Sequence, residues 1–406
     1  MLSDSTINNL IDEMVSRQED INLYIIGKIA DRINDIGTLK PTDIYKIKRL
    51  YRTGSDLRQI NKMLAQLTNL QERDIKKLIK AVAKSVYTDA RPMYDYRHRS
   101  YVPFEQNIEL QKVVRAVEAQ TLSTYQNLSN AQAFMLRSPT NPNIFIPTPI
   151  AKAYQQIVDE AVQSVVLGVE DYSSAMRRSL KDLIDSGIRR VSYNTKSGRI
   201  YTQRTDTALR RNLLDGVRQI QQEMHNEIGR QVSADGIELT AHRYSALDHE
   251  PVQGHQFSNE EYVKMQNGED CADVQGRHYT GFERKIGFWN CRHFAIAIII
   301  GFSPQTYSDE QLQTMIENNH KGYTLPNGKH LTMYQCTQEQ RRLETIIRYA
   351  KDGQIMARRA GDEELAKKYQ ARINKYTAIY KSFSNACGLK QMNMKMSVSG
   401  YRKIAV

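Results

Sequence analysis

Apolar residues recur every three or four positions through most of the first 135 residues, which is the pattern of amphipathic helices. One such stripe consists of Ile21, Tyr24, Ile25, Ile29 and Ile33. It stops at Gly37, and residues 39–54 follow with a Pro-Thr-Asp capping signal. Ser55 and Asn69 are the N-caps expected for the helices that come next. The pattern therefore predicts a helical array at the start of the chain.

The pattern changes after this array. Four of the ten prolines lie between Pro139 and Pro149, so this segment is predicted to be a linker or an extended arm. Helical spacing then resumes, and the alternation in residues 192–202 predicts a β-hairpin. A further helix is expected to end at Gly229 or Gly236, and its apolar stripe consists of Leu209, Leu213, Val217, Ile220, Met224 and Ile228.

Short apolar runs broken by Gly, Asn and Asp characterise residues 237–304, which predicts a small α+β module. Its longest run, FAIAIII at 294–300, is expected to be a buried strand. A turn at Pro326-Asn327-Gly328 leads into a helical tail. We expect the apolar seam of this tail to be core or coiled coil rather than a base-stacking platform; the seam consists of Leu365, Tyr369, Ile373, Tyr376, Tyr380 and Phe383.

The fold class predicted from these patterns is mainly α, with a helical N-terminal half, a small α+β histidine-rich module and basic C-terminal helices. The predicted domains are contiguous along the chain. They comprise an N-terminal helical domain (1–138), a Pro-rich linker (139–150), a helical domain with a hairpin (151–236), the α+β module (237–304) and a basic helical region (305–406).

Charge adds a candidate partner to this picture. The net charge of +12 over 406 residues favours a polyanion such as nucleic acid or an acidic protein surface, although a basic soluble protein is the simpler alternative. Residues 188–211 carry seven basic residues against one acid. Residues 365–406 carry no acid, and their cations are predicted to face DNA: Lys367, Lys368, Arg372, Lys375, Lys381, Lys390, Lys395, Arg402 and Lys403.

Targeting and redox signals are weak in this sequence. The N-terminus has no basic patch followed by an apolar core, so we expect synthesis in the cytosol without a secretory signal. No window approaches the ~18 consecutive apolar residues of a membrane span. The four cysteines lack a paired spacing, which predicts reduced thiols.

Histidines and cysteines concentrate between residues 242 and 293, which hold five of the nine histidines and two of the four cysteines. His249, Cys291 and His293 have the donor atoms of a zinc site, which His242 or Cys271 could complete. The Cys-x-His spacing is not that of a zinc finger. We therefore expect a hydrogen-bonded cluster with no cofactor, while zinc stays open as the alternative.

Enzymatic interpretations have less support. Arg292 and His293 beside Cys291 would suit an activated thiolate, although a structural cysteine before a core strand fits the position better. The stretch LDHEPVQG and the later NCRH are similar to motifs of His-Asn-His metal-dependent nucleases, but the paired CxxC knuckles are absent. The sequence also has no phosphate-binding loop, nucleophile elbow or HExxH helix. We expect no enzyme; a nuclease-like or zinc-stabilised DNA-binding protein is the alternative.

A family resemblance rests on motifs distributed along the chain. The module contains Ala241-His242, Asp248-His249, Gln253-Gly254 and Asn290-Cys291-Arg292-His293, followed by Gly301 and Ser303. The tail adds Tyr334, Gln340-Arg341, Leu343-Glu344 and Ile347-Arg348. With these motifs the chain resembles the phage minor capsid protein 2 group, relatives of the Mu F-like head-morphogenesis proteins of tailed phages. Ala246 and Val252 replace an arginine and a tryptophan of the pattern, which indicates a divergent member.

The resemblance implies a structural protein of the virion rather than an enzyme. It implies a low-copy minor capsid protein that lies inside the head, is associated with the portal and contributes to head assembly and to DNA packaging or ejection. The implied partners are the portal protein, the inner surface of the major capsid or scaffold, and packaged double-stranded DNA, with no membrane. Residues 1–138 are expected to contact the portal, and assembly is expected in the host cytoplasm.

These motifs lead to one spatial prediction. His249, Cys291 and His293 are expected to meet and to hold the module together, so that a loop is attached to the edge of the core. If the cluster is buried, His249→Ala is expected to cost about 1–3 kcal/mol, because it leaves a polar partner unsatisfied.

Overall fold

The computed structural model describes residues 2–37, 54–138, 140–141, 144–150, 152–157, 159, 190–194, 200–280, 284–287 and 291–405. Helices dominate these residues, which confirms the mainly α class. The helices are α1 (Asp4–Gly37), α2 (Gly54–Asp89), α3 (Arg91–Tyr96), α4 (Ile108–Asn130), α5 (Thr205–Val232), α6 (Asn259–Asn267), α7 (Asp309–Lys321), α8 (Met333–Arg359) and α9 (Glu363–Ala386). Within the described ranges, no helix combines the length and the apolar character needed to cross a bilayer.

The N-terminal helices follow their apolar stripes. In α1, Ile25 and Ile29 are 3% and 0% exposed, and the helix ends at Gly37 as predicted. The expected cap at Asn69 is wrong, because α2 continues through this residue from Gly54 to Asp89. Asn69 is exposed, while the buried Leu67 keeps the apolar stripe continuous, so the weak capping preference does not end the helix. The segment 39–53, with its predicted capping signal, lies outside the described residues.

A four-stranded antiparallel sheet includes part of the Pro-rich segment. The strands are β1 (Gln132–Arg137), β2 (Phe145–Pro149), β3 (Arg190–Asn194) and β4 (Ile200–Arg204), in the order β2-β1-β3-β4. Of the two interpretations of this segment, linker or extended arm, the extended one fits Phe145–Pro149, which pairs with β1. Because β2 is an edge strand, the alternating Pro147 and Pro149 can direct their missing N–H groups away from β1.

Two predictions between residues 190 and 236 are confirmed. Strands β3 and β4 pair as the expected hairpin, with Tyr193 opposite Tyr201. Helix α5 buries its whole predicted stripe. It passes through Gly229 and ends at Val232, between the two glycines proposed as its end. A Cβ at Gly229 would lie 3.2 Å from the Cβ of Ala297, so glycine allows this close packing.

The α+β module contains a three-stranded antiparallel sheet. Strand β5 (Gly236–Leu239) lies between β6 (Gln256–Ser258) and β9 (Ala295–Ile298), and a separate pair joins β7 (Cys271–Ala272) and β8 (His278–Tyr279). Strand β9 is the buried strand predicted in FAIAIII. Leu239, Val252 and Phe257 are fully buried in the core of the module. The α+β character expected for this region is thus observed.

The C-terminal region has the predicted turn and helices. Strands β10 (Tyr323–Thr324) and β11 (His330–Leu331) pair across the Pro-Asn-Gly turn, where Gly328 has a φ of +82°. In α9 the apolar seam is core, since Ile373 and Tyr380 are 3% and 0% exposed. The tyrosines of the seam contact other apolar side chains, as the core interpretation predicted.

The chain divides into two compact units, each assembled from three separate stretches. The first unit comprises Met1–Ile11, Arg73–Ser123 and Arg211–Glu339, and it contains the α+β module. The second unit comprises Asp12–Glu72, Thr124–Arg210 and Gln340–Val406, and it contains the basic tail. These units are discontinuous, whereas the division expected from the sequence is contiguous.

Candidate functional site

The site is built on a loop, residues 240–255, that connects β5 to β6 in the first unit. Its two ends are fastened together, because Gly254 N donates to Leu239 O at 2.9 Å and Leu239 N donates to His255 O at 3.0 Å. Gly254 has a φ of +74°, and a Cβ there would lie 2.4 Å from Leu312 Cδ2. The glycine of the Gln253-Gly254 motif is thus required both by the backbone conformation and by the close approach of α7.

Three side chains from this loop and from the segment before β9 converge inside the module. His249 Nδ1 lies 3.2 Å from Cys291 Sγ, and Cys291 Sγ lies 3.3 Å from His293 Nδ1. One donor atom of each residue falls within 4.8 Å of the others, and the residues are 1%, 7% and 5% exposed. Cys291 and His293 precede β9 rather than lie on it, since the strand begins at Ala295. The structure therefore brings together the three residues that the sequence placed in one cluster.

The outer nitrogens of both histidines have oxygen partners. His249 Nε2 lies 2.9 Å from the carbonyl oxygen of Arg284, and His293 Nε2 lies 3.3 Å from Gln253 Oε1. Gln253 Oε1 also accepts from the backbone N–H of His242 at 2.9 Å. Gln253 thus connects both ends of the loop to the cluster, a role that the motif alone does not specify.

An ion pair holds the neighbouring segment in place. Arg284 donates from Nε and Nη2 to the two carboxylate oxygens of Asp248, at 2.5 and 2.6 Å. Burial would raise the pKa of Asp248, but the hydrogen bonds and charge of Arg284 lower it below its ordinary value. This ion pair orients the Arg284 carbonyl that His249 contacts. No local sequence pattern identifies Arg284, because it is 36 residues from Asp248.

Glu250 and Asn319 belong to a second set of polar contacts, which links the loop to α7 and links α7 to α8. Glu250 accepts from Asn319 Nδ2 at 2.7 Å, and its other carboxylate oxygen lies 2.7 Å from His320 Nε2. Asn319 Oδ1 accepts from the backbone N–H of Tyr334 at 2.9 Å. Sequence reasoning missed Glu250, Asn319 and His320 as partners, since their contacts join distant parts of the chain. Tyr334 belongs to the tail motif, and this contact gives its position a structural role.

The surroundings of the cluster shift the pKa values of its two histidines in opposite directions. Burial raises the pKa of the Cys291 thiol, but the hydrogen bond and charge of His249 lower it overall. Burial lowers the pKa of His249, whereas its contacts with Cys291 and the Arg284 carbonyl raise it overall. Burial and the two neighbouring histidines lower the pKa of His293 to about 3, so this ring is neutral at pH 7. A thiolate in this setting can bind a soft cation, and its burial keeps it from a solvent-borne substrate.

The other residues singled out in the sequence are placed differently. Arg292 is exposed, unlike Cys291 and His293 on either side of it, and Asn290 lies outside the described residues. In the described part of the chain, neither His242 nor Cys271 belongs to the group of converging donors. His242 contacts the cluster instead, with its ring centroid 4.7 Å from that of His293. Cys271 lies in β7, where burial raises the pKa of its thiol to about 11.

The predicted DNA-facing cations lie in the second unit and are almost all solvent-accessible. Lys395 is half-buried, and the other eight are exposed: Lys367, Lys368, Arg372, Lys375, Lys381, Lys390, Arg402 and Lys403.

Comparison with known proteins extends these observations to the whole chain. The family model described as Phage minor capsid protein 2 matches residues 2–385. Neither the comparison with curated proteins nor that with solved structures found a match.

Proposed function

Because the chain belongs to the phage minor capsid protein 2 family, we propose that it is a portal-associated structural protein inside the head of a tailed phage. In this role it contributes to head assembly and contacts packaged DNA. The observation that carries the proposal is the family match, which spans residues 2–385 rather than one module. The expected partners are the portal protein, the inner face of the capsid or scaffold, and double-stranded DNA.

The charge distribution of α9 supports contact with DNA. Its apolar seam is buried, so its cations lie on the opposite, solvent-facing side of the helix. Five of the predicted cations lie on this helix: Lys367, Lys368, Arg372, Lys375 and Lys381. Phosphate groups attract such a face regardless of base sequence, which suits a protein that meets packaged DNA of any sequence.

Burial of the histidine cluster supports a structural role over nuclease activity. A catalytic metal needs an open coordination position that the substrate can reach. His249 and His293 are 1% and 5% exposed, and the loop that carries His249 is fastened at both ends. The arrangement fits a centre that stabilises the module.

Portal association is tested by co-expression of the full chain with the portal protein encoded by the same phage. The full chain is used because each unit draws on stretches from both halves of the sequence. We expect the two proteins to co-purify, and cross-linking with mass spectrometry should identify portal contacts from residues 1–138. Failure to co-purify would contradict the proposal, and cross-links that come solely from residues 237–406 would contradict the assignment of the contact.

DNA contact predicts a strong salt dependence. Neutralisation of each phosphate contributes a slope of about −0.9 in log K against log salt, so contact by five to eight tail cations gives a slope of about −4 to −7. The combined change of Lys367, Lys368, Arg372 and Lys375 to Gln should reduce the magnitude of this slope by about 3 to 4. Fluorescence anisotropy with a duplex of arbitrary sequence, measured over a salt series, gives both slopes.

A control variant changes four exposed lysines of α2 to Gln: Lys62, Lys76, Lys77 and Lys80. It removes the same number of charges from a helix outside the tail, so its slope should equal that of the wild type. Equal effects of the two variants, or binding that does not depend on salt, would contradict contact through the tail.

A further inference from the structure

The geometry points to a zinc site: we propose that His249, Cys291 and His293 bind one Zn²⁺ through Nδ1, Sγ and Nδ1. The ion would join the loop that follows β5 to the segment that precedes β9. The proposal rests on which atoms of the cluster carry protons, on the distances between them and on the chemistry of the three donors.

The tautomer of His249 follows from the contact of its outer nitrogen. Its Nε2 contacts the carbonyl oxygen of Arg284, which can only accept a hydrogen bond. The proton of the neutral ring is therefore assigned to Nε2. The lone pair of Nδ1 then points at the sulfur of Cys291, 3.2 Å away.

The tautomer of His293 follows from the contact between its Nε2 and Gln253 Oε1. The orientation of an amide side chain is assigned from its partners. Here the backbone N–H of His242 donates to the same atom at 2.9 Å, which identifies it as oxygen. His293 Nε2 must then carry the proton, and the Nδ1 lone pair of His293 also points at Cys291 Sγ, at 3.3 Å.

The space between the two rings holds too few protons for the contacts made there. With both rings neutral, two nitrogen lone pairs face one sulfur, and the single hydrogen of a thiol can satisfy only one of them. If His249 is instead protonated and donates from Nδ1 to a Cys291 thiolate, the lone pair of His293 Nδ1 still faces the sulfur. The other contact would set a lone pair against sulfur in a buried place, where an unsatisfied polar contact is costly. A cation between the three atoms removes the conflict, because two imidazole nitrogens and a thiolate all donate to it. The oxygens of Arg284 and Gln253 then act as the outer partners that orient metal-bound histidines.

The distances and donor types favour zinc. Tetrahedral zinc with bonds of about 2.3 Å to sulfur and about 2.0–2.1 Å to nitrogen separates these ligands by about 3.5 Å. The observed sulfur–nitrogen separations of 3.2 and 3.3 Å are close to this value, and the three donor atoms lie within 4.8 Å of one another, so the two imidazole rings would move towards each other on binding the ion. Imidazole and thiolate donors select zinc over magnesium or calcium, which prefer oxygen. His242 lies outside the converging group, and its ring, 4.7 Å from that of His293 between centroids, would have to reorient to supply the fourth ligand.

Metal analysis of the full chain tests the proposal. The protein is expressed in zinc-supplemented medium, purified without chelator and analysed by inductively coupled plasma mass spectrometry. We expect one zinc per chain. Exchange with Co²⁺ should give the intense visible bands of a tetrahedral site and a thiolate-to-cobalt charge-transfer band. Folded wild-type protein that holds no zinc and gives no cobalt spectrum would overturn the proposal.

Two cysteine variants locate the site. Cys291→Ser should lose the charge-transfer band and the bound zinc, whereas Cys271→Ser, which changes another buried cysteine of the module, should retain both. Circular dichroism establishes that each variant is folded. Loss of zinc from Cys271→Ser with retention in Cys291→Ser would show that the ion binds elsewhere and would overturn the assignment.

A third variant leaves all three ligands in place. Gln253→Ala removes the outer partner of His293, and loss of such a partner lowers metal affinity about 10–100-fold. Competition with a chromophoric chelator measures this affinity. If the cluster is only hydrogen-bonded and holds no metal, the chelator finds no bound zinc to remove. A zinc affinity that is measurable in the wild type and lower in Gln253→Ala therefore supports the site.

Discussion

Replacing Asp206 by Ala is expected to destabilise the second unit by about 3–5 kcal/mol, because it removes the buried carboxylate that Arg204 and Arg348 share. The side chain of Asp206 is 2% exposed. It accepts from Arg204 Nε at 2.9 Å and from Arg348 Nη1. The side chains of Arg204 and Arg348 are 8% and 14% exposed, so water cannot readily replace the lost carboxylate. Asp352 would be the remaining partner of Arg204.

A matched control is Asp12→Ala, which removes another carboxylate from the same unit. Asp12 pairs with Arg210, but their side chains are 35% and 26% exposed, so the loss should be about 0–1 kcal/mol. Urea denaturation of both variants, followed by circular dichroism, gives the two free energies of unfolding. Similar losses in the two variants would show that burial of the Asp206 pair has no special importance.

The second large effect depends on pH and concerns Glu19, which belongs to the same ion-pair network. The pKa of Glu19 is raised from 4.5 to about 7, mainly by burial and secondly by the nearby charge of Asp206. A carboxyl whose pKa is higher in the folded state than in the unfolded state favours folding when protonated. Its contribution is complete below pH 4.5 and is lost as the pH rises to about 7.

Glu19→Gln should therefore stabilise the protein at pH 8 by about 2–3 kcal/mol, since a neutral amide avoids the cost of burying a charge. The variant loses a distant contact, 3.9 Å, between Glu19 and Arg348, which slightly reduces the gain. At pH 4 the gain should disappear, because Glu19 is then protonated. Urea denaturation at both pH values provides the measurement, and an equal gain at pH 4 would attribute the effect to packing rather than to ionisation.

Local periodicity made much of the fold predictable. The stripe of α5 has a helical repeat over six apolar residues, and every one of them is buried. Strand β9 was predictable because FAIAIII is a short, continuous apolar run, which suits a strand covered on both faces. In such segments the residue pattern and the packing depend on the same side chains.

The failures concern features that depend on distant partners or on competition between signals. Strand β2 exists because β1 offers it an edge, and nothing in the Pro-rich segment itself indicates that pairing. Asn69 is a good cap in isolation, but the apolar stripe of α2 continues past it. A propensity of about 1 kcal/mol is easily overcome by burial of a continuous apolar face.

The candidate site was predictable only in part, because some of its residues gain their roles from distant contacts. His249, Cys291 and His293 were identified because their side chains carry metal-donor atoms and match a family pattern. Arg284 and Asn319 could not be identified from the sequence, because these common residue types gain their roles only from contacts with Asp248 and Glu250. Gln253 belonged to the pattern, yet its bridging oxygen is visible only in three dimensions.

The interleaved make-up of the two units has a consequence for synthesis on the ribosome. The second unit includes Asp12–Glu72 but is completed only by Gln340–Val406. At translation rates of about 5–20 residues per second, these stretches emerge roughly 15–60 s apart. During that interval the apolar stripe of α1, with Ile21, Ile25 and Ile29, lacks its final partners. Nascent chains therefore expose an apolar surface for far longer than a helix takes to form. Binding of this surface by a chaperone or an assembly partner would limit aggregation.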